Sequence, residues 1–275
     1  QQSPENQIAT DKVWHELAFG LESLGYDTPT IRRRVAEMAS FFGIQEWFYK
    51  PVTELSGGQK QLLNLASVMV LQPKVLILDE PTSQLDPIAA SDFLATLGKI
   101  NRELGTTILL TEHRLEEAFS FASRVAVMDG GKLPCTGTPA EVGAELKSSG
   151  NAMFLAMPAA MRIWAASDSK AACPISVCDG RNWLLDYAKT HELRPIPEEK
   201  KNTPNGETVV SARELWFKYD KDLPDVVKGL SLELHKGEFL TLLGGNGTGK
   251  TTSMKLLAGL KKAYRGELAI TGTVG

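Results

Sequence analysis

Hydrophobic and polar positions along the first half of the chain predict helices and strands in alternation. Apolar residues at helical spacing predict a helix over residues 12–24, whose buried face is formed by Val13, Leu17, Leu21 and Leu24. The run 75–78 is continuously apolar, a pattern typical of a central parallel strand buried on both faces, and residues 106–110 are predicted to form the next buried strand. Between them a helix is expected, capped by Asp86 and stopped by Gly105. This strand–helix–strand order predicts an α/β fold with a parallel sheet.

A similar pattern returns after residue 208. Strands are predicted over residues 209–219, 226–234 and 238–243, and the last of these runs into a glycine-rich turn. A helix carrying Met254, Leu257 and Leu260 is predicted to follow. Between the two regions, residues 146–207 contain Ser/Gly-rich and Lys/Glu/Pro-rich stretches, which predict a linker with some structure of its own. Its best candidate helix lies at 181–192.

Composition and charge narrow the class of protein. The 275 residues allow one large domain or two modest ones. The chain has 30 Lys and Arg residues and 33 Asp and Glu residues, which gives a net charge of -3. A chain with this charge attracts a polyanion only weakly, so no nucleic-acid partner is predicted. No stretch predicts a membrane span or a signal peptide.

The three cysteines are too few for a disulfide scaffold and fit a reducing cytosol. Cys173 and Cys178 are spaced like half of a zinc site, but no second Cys/His pair lies near them in the sequence. We therefore predict no metal other than Mg²⁺.

A phosphate-binding loop is predicted between strand 238–243 and the helix that follows. Residues 244–251 read Gly-Gly-Asn-Gly-Thr-Gly-Lys-Thr and match the P-loop pattern G-x-x-x-x-G-K-[ST]. Glycines let consecutive backbone N–H groups turn toward phosphates, and the helix adds its positive end. Lys250 is predicted to bind the β- and γ-phosphates and Thr251 to ligate Mg²⁺. The residues predicted to contact the nucleotide here are Gly244, Asn246, Gly247, Thr248, Gly249, Lys250, Thr251 and Thr252.

Two further features are consistent with phosphate chemistry. The strand 75–78 ends in Asp79 and Glu80, and ligands bind at the carboxyl ends of parallel strands. Asp79 suits a Mg²⁺ shell and Glu80 suits a base or orienter of water, although a solvated strand end would look the same. Ser56, followed by glycines at 57–58, predicts either a second anion site or a plain capped helix.

Together these motifs resemble the ATP-binding-cassette (ABC) ATPases. The matching segments are the signature motif Leu55-Ser56-Gly57-Gly58-Gln59, the Walker B motif at 75–81, the D-loop at 83–86, the switch histidine His113 and the Q-loop glutamine Gln2. The resemblance implies a P-loop NTPase fold, α/β, with a parallel sheet core and a helical subdomain, and hydrolysis of ATP with Mg²⁺.

The resemblance also assigns roles to individual residues. It makes Glu80, His113 and Gln2 catalytic and places Asp79, Gln2 and Thr251 at Mg²⁺. Tyr219 lies where the family has an aromatic ring against adenine. The residues that would contact ATP through the signature motif are Ser56, Gly57, Gly58 and Gln59.

The order of these motifs departs from that of a single ABC domain, because the P-loop comes last. The simplest explanation is a fragment of a tandem protein, with the C-terminal part of a first domain at 1–145, a linker at 146–207 and the N-terminal part of a second domain at 208–275. Each ATP would then lie between the P-loop of one domain and the signature motif of the other. A single permuted domain, with Thr251 beside Asp79, remains an alternative.

Residues 3–7, 16–20 and 111–117 resemble the ATPases of energy-coupling-factor (ECF) importers of vitamins and transition metals. This implies a transmembrane coupling subunit and a substrate-binding membrane subunit as partners, and a peripheral location on the cytoplasmic face of the membrane. The helical subdomain would provide the docking surface. Two alternatives are a soluble tandem ABC protein that acts on ribosomes, which usually has Asn-His where Ser83-Gln84 stands here, and an inert nucleotide-binding fragment.

Overall fold

The computed structural model describes residues 8–192, 195 and 206–272. The chain divides into two units, Gln1–Ile196 and Pro197–Gly275. The first is a mixed helix and strand unit, and the second is built on an antiparallel sheet.

Three helices form the first layer of unit one: α1 (Val13–Ser23), α2 (Thr28–Phe41) and α3 (Gly57–Met69). Leu17 and Leu21 on α1 are fully buried, as the helical spacing predicted. Leu24 is 65% exposed, so its predicted place on the buried face was wrong. The reason is local: α1 has ended at Leu24, and Gly25 turns the chain with a φ of 75°.

The predicted strand–helix–strand unit is present. The strands β1 (Val75–Asp79) and β2 (Thr107–Thr111) pair in parallel, and α4 (Pro87–Lys99) connects them. The Asp86 carboxylate caps α4 by accepting hydrogen bonds from two backbone N–H groups of the first turn. A π-helical turn, Ile100–Leu104, extends the helix to Gly105, whose φ of 67° ends it.

The β1–β2 sheet is buried on one face only. Leu76 on β1 packs into the core with α1 and α3, whereas Ile77 beside it is 71% exposed and Leu109 opposite is exposed as well. The prediction of burial on both faces was therefore wrong for this structure. Successive strand residues point to opposite faces, and within the described residues only one face of the pair is covered by helices.

The remainder of unit one forms a second hydrophobic cluster. Its elements are α5 (Leu115–Phe121), the antiparallel pair β3 (Val125–Asp129) and β4 (Lys132–Gly137), α6 (Pro139–Ser149), α7 (Ala159–Ala165) and α8 (Val177–Ala188). Phe119, Leu146 and Trp164 are buried together in it, so packed structure extends beyond residue 145. The helix predicted at 181–192 begins earlier, at Val177, because Ser176 and Asp179 form a capping box.

Unit two contains a three-stranded antiparallel sheet in the order β6-β5-β7. Its strands are β5 (Thr208–Phe217), β6 (Val227–His235) and β7 (Arg265–Ile270), which agree closely with the predicted strands 209–219 and 226–234. The helix α9 (Lys250–Leu257) follows the glycine-rich turn as predicted.

The buried side of α9 differs from the prediction. Leu256 is buried against Phe217 and Val227, whereas Met254 and Leu260 are exposed. Leu260 lies beyond the helix, which ends at Leu257 ahead of the left-handed Gly259.

The apolar segment 238–243 is not a strand in this structure, which corrects the prediction that a strand precedes the P-loop. Phe239 is 94% exposed and Leu243 is exposed as well. A continuously apolar strand is stable when it has hydrogen-bonded neighbours and covered faces. Within the described residues the segment has neither, because β5, β6 and β7 pair with one another.

We predict that Leu17→Ala destabilises unit one by about 2–5 kcal/mol, because it leaves a cavity in the helical core. Leu24→Ala is the matched control and should cost less than about 0.5 kcal/mol, because this side chain is exposed. The measurement is urea unfolding followed by circular dichroism. Equal losses for the two variants would contradict the packing of α1.

Candidate functional site

The glycine-rich loop of unit two can be formed only with glycine at its last turn. Gly249 has a φ of 88°, and a Cβ placed on it would lie 2.8 Å from the Val226 carbonyl oxygen. Gly247 also lies in the left-handed region, with a φ of 78°. At Gly249 the backbone therefore approaches its neighbour too closely for a larger side chain, a close approach of the kind that a backbone cradle for phosphate uses.

Lys250 lies folded over this loop. Its Nζ atom donates hydrogen bonds to the carbonyl oxygens of Gly244, at 2.7 Å, and Gly245, at 2.5 Å. The Thr248 hydroxyl also donates to the Gly245 carbonyl. A phosphate oxygen is a stronger acceptor for an ammonium group than a neutral carbonyl, so the same amine is suited to bind an anion at the loop.

The first turn of α9 supplies further donors. The first intrahelical bond is donated by the Ser253 N–H to the Gly249 carbonyl, at 2.8 Å. The N–H groups of Lys250, Thr251 and Thr252 precede it, and such groups at a helix N-terminus bind anions. The Thr251 side chain is exposed and the Thr252 side chain is buried.

Tyr219 lies beside this helix, on the segment after β5. Its ring is 51% exposed, and its hydroxyl is 3.0 Å from the Thr252 Oγ1 atom. The Phe217 ring packs edge-on against it, with centroids 5.1 Å apart. The Lys261 Nζ atom lies 5.9 Å from the Tyr219 ring centroid. An accessible aromatic surface of this kind can stack on a flat base.

In unit one, the pairing of β1 with β2 brings Asp79 opposite Thr111. The Thr111 hydroxyl donates to Asp79 Oδ1 at 2.6 Å and accepts from the Glu80 N–H at 3.0 Å. Glu80 has a φ of 44°, which is uncommon for a residue with a Cβ. Its N–H also bonds to the Thr111 carbonyl, so two acceptors on Thr111 hold this backbone in its strained form.

Glu80 and His113 form a pair at the same end of the sheet. The distance between Glu80 Oε1 and His113 Nε2 is 2.8 Å, and the imidazole is 82% exposed. Glu112 stabilises the loop that carries this histidine, because its carboxylate accepts from the His113 N–H and from the Thr82 hydroxyl. A carboxylate and an imidazole in contact can orient water and share a proton.

The serine of the Leu55–Gln59 segment caps α3. Ser56 Oγ accepts from the Gln59 N–H, and the Gln59 carboxamide accepts from the Ser56 N–H in return. This capping box engages both side chains, whereas Gly57 has open space beside it. A Cβ on Gly58 would lie 3.2 Å from Ala89, so α3 and α4 approach each other closely here.

Apart from the signature residues 56–59 at the start of α3, the predicted site residues that the structure describes form two groups, one in each unit. Asp79, Glu80 and His113 lie together at the end of the parallel strands. The P-loop residues and Tyr219 lie together in unit two. Gln2 lies outside the described residues.

Two residues of this site had no predicted role. Thr111 forms hydrogen bonds with Asp79 and Glu80. Its position at the end of β2, opposite Asp79 in a strand of equal length, is the sequence feature that could have indicated this role. Gln61 donates through Nε2 to the Pro81 carbonyl at 3.0 Å and so ties α3 to the loop after β1. Nothing in the sequence near Gln61 indicates that contact.

A family model described as ABC transporter matches residues 2–83 and 227–274. Both matched segments are similar to the ABC transporter family. An ABC transporter ATP-binding protein of Bacillus thuringiensis subsp. konkukian is 43% identical over 99% of this chain and 49% of its own length. A protein of the same description from Bacillus cereus is also 43% identical, over 48% of its own length. The chain therefore spans about half the length of these curated relatives.

Among solved structures, CbiO1 from Clostridium perfringens matches with 35% identity and a TM-score of 0.50, over 59% of this chain and 64% of that one. It is described as part of the ABC transporter complex CbiONQ. The fold is that of an ABC ATPase, a P-loop NTPase of mixed α/β type. Members of this family hydrolyse ATP.

None of the three cysteines is among the predicted nucleotide-site residues. Burial, together with the nearby Glu145 carboxylate, raises the pKa of the Cys135 thiol to about 11. Burial raises the pKa of Cys173 to about 11 as well, whereas Cys178 is exposed. Within the described ranges, no three His, Cys, Asp or Glu side chains group as a metal site. In the same part of the chain, no helix is both long and apolar enough to cross a bilayer.

We predict that iodoacetamide alkylates Cys178 first at pH 8. A thiol with a pKa of about 11 is ionised to about one part in a thousand at that pH, so Cys135 and Cys173 should react slowly and speed up as pH rises. Peptide mass spectrometry measures the three rates. Cys178→Ser should remove the fast phase, and rapid labelling of Cys173 in the folded chain would contradict its burial.

Proposed function

We propose that this chain is part of a tandem ABC ATPase that energises an ECF-type importer of a vitamin or a transition-metal ion. The observation that carries the proposal is the loop 244–251, where Lys250 and the first turn of α9 present donors at a glycine cradle. The catalytic carboxylate and histidine lie in the other unit. The domain limits 1–145, 146–207 and 208–275 belong to this proposal.

The P-loop residues would bind the phosphates of ATP. A Cβ at Gly249 would collide with the Val226 backbone, so this position requires glycine. Without side chains at the loop glycines, the backbone N–H groups would be accessible to the triphosphate. Lys250 would exchange its loop carbonyls for the β- and γ-phosphates, and Tyr219 would stack on adenine. Asn246 and the other predicted loop residues would line the same cradle.

In the other unit, Glu80 would orient or deprotonate the attacking water. His113, which contacts Glu80, would bind the γ-phosphate. Asp79 and the exposed Thr251 hydroxyl each have the oxygen chemistry that Mg²⁺ requires, and each would contact the ion of its own ATP site. Gln2 is a further predicted oxygen ligand. When bound, Mg²⁺ neutralises charge on the phosphates. Ser56, Gly57, Gly58 and Gln59 would contact the triphosphate of the opposite domain.

The tandem arrangement is supported by length and by motif order. The relatives in Bacillus are about twice as long as this chain, which leaves room for a second signature motif and a second P-loop. In the complete protein, Asp79, Glu80 and His113 would serve one ATP site, while Lys250 and Thr251 would serve the other.

The ECF assignment is supported by CbiO1, which is described as part of a complex and is 35% identical. Partners of this chain would then be a transmembrane coupling subunit and a substrate-binding membrane subunit, with the chain on the cytoplasmic face of the membrane. Exposed aromatic side chains of the helical layer, among them Trp14, Phe19 and Tyr49, are candidates for the docking surface.

We predict that Lys250→Ala weakens Mg-ATP binding to the 275-residue chain about tenfold or more, because a charge-assisted hydrogen bond is lost. Lys255→Ala, on the same helix in its last turn, is the matched control and should bind as the unchanged chain does. Isothermal titration calorimetry measures both. Undiminished affinity in Lys250→Ala would refute the nucleotide site.

In the complete tandem protein, Glu80→Gln should retain ATP binding and slow turnover at its own site by ~10²–10⁴. The reason is that the amide cannot accept a proton from water. Phosphate release is measured with the second site disabled. The control is Glu103→Gln, a change at an exposed residue that is not among the predicted site residues. Unchanged turnover in Glu80→Gln would exclude its role.

A further inference from the structure

We propose that Thr252 is a positioning residue for the nucleotide base, because its buried hydroxyl holds the ring of Tyr219 against the phosphate-binding helix. The proposal rests on the nucleotide site described above and adds a link within it. Through this hydrogen bond, the surface that would bind the base is fixed relative to the helix turn that would bind the phosphates.

The geometry separates the two threonines at the start of α9. Thr251 is exposed, as a residue that contacts phosphate or Mg²⁺ must be. Thr252 is only 5% exposed, and its Oγ1 atom lies 3.0 Å from the Tyr219 hydroxyl. The two residues are 33 positions apart in the chain, so this bond joins the segment after β5 to α9.

The hydrogen bond matters because Tyr219 is otherwise weakly held. Half of its ring is exposed, and one edge contact with Phe217 is its other aromatic support. An exposed aromatic side chain that must be ordered on binding loses rotamer freedom, which weakens affinity. A ring already fixed at its hydroxyl avoids that loss and stays at a set distance from the phosphate donors of α9.

The hydrogen bond also leaves Thr252 able to contact an anion. A hydroxyl has one donor proton and two acceptor lone pairs. If Tyr219 donates to Thr252, the Thr252 proton remains available to a further acceptor, and hydrogen bonds in such a chain strengthen one another. Thr252 would thereby contact both the Tyr219 ring that binds the base and an anion at the first turn of α9.

The test compares two ligands that differ in whether they have a base. Thr252→Val removes the hydroxyl at constant volume, and Tyr219→Phe removes the partner hydroxyl while keeping the ring. Each variant should bind Mg-ATP about fivefold more weakly, the effect of one hydrogen bond. Tyr219→Phe, which leaves every phosphate-contacting residue intact, should bind magnesium tripolyphosphate as the unchanged chain does. Thr252→Ser should restore ATP affinity, and the double variant should be no weaker than either single variant.

Tyr264→Phe is the matched control, because it removes a tyrosine hydroxyl that donates to Asp225 in the same unit and should leave ATP affinity unchanged. Thermal melts of each variant exclude general unfolding. Equal weakening of ATP and tripolyphosphate by Tyr219→Phe would overturn the proposal, as would unchanged ATP affinity in both variants. If Lys250→Ala also binds ATP normally, the nucleotide site itself fails; if Lys250→Ala loses binding while Thr252→Val does not, only the link between Tyr219 and Thr252 fails.

Discussion

The arrangement of Asp79, Glu80 and His113 in unit one depends on the parallel pairing of β1 with β2. The register places Asp79 opposite Thr111, and the threonine hydroxyl then bonds to the carboxylate of Asp79 and to the N–H of Glu80. Without that register, Glu80 would have no reason to adopt a positive φ. Its carboxylate would also not reach His113, which follows β2 by only two residues. One strand pairing therefore orders a carboxylate, a second carboxylate and an imidazole at one sheet edge.

In unit two, the shape of the glycine-rich loop 244–251 depends on close backbone contacts and not on strand pairing. The ammonium group of Lys250 donates hydrogen bonds to the carbonyl oxygens of Gly244 and Gly245, at the start of the same loop. A left-handed glycine begins α9, and the Val226 carbonyl lies where a larger residue would place its Cβ. The loop is thus shaped by steric exclusion, and its charge is held in place by hydrogen bonds within a few residues. Such a site needs little from the rest of the fold.

The exposed apolar surfaces have a common physical origin. Ile77 and Leu109 lie on the uncovered face of a two-stranded sheet, and segment 238–243 has no strand beside it among the described residues. Both have the composition of central strands in a larger parallel sheet. A β-strand gains its stability from neighbours rather than from its own residues, so the same sequence is ordered or irregular according to what pairs with it. Helices satisfy their own backbone groups, which is why α1, α4 and α9 formed where their patterns predicted.

The sequence by itself determined the local features: helix faces and caps such as those of Leu17 and Asp86, the positions where glycine is required, and the motifs that resemble those of ABC ATPases. These depend on residues within one or two turns of each other, whose physics is readable from spacing. Only the tertiary structure decided which strand face is covered, that Thr111 holds Asp79 and Glu80, that Gln61 reaches Pro81, and that Thr252 holds Tyr219. Those contacts join residues 20 to 33 positions apart, and at such separations the register between elements, rather than the pattern within one, selects the partner.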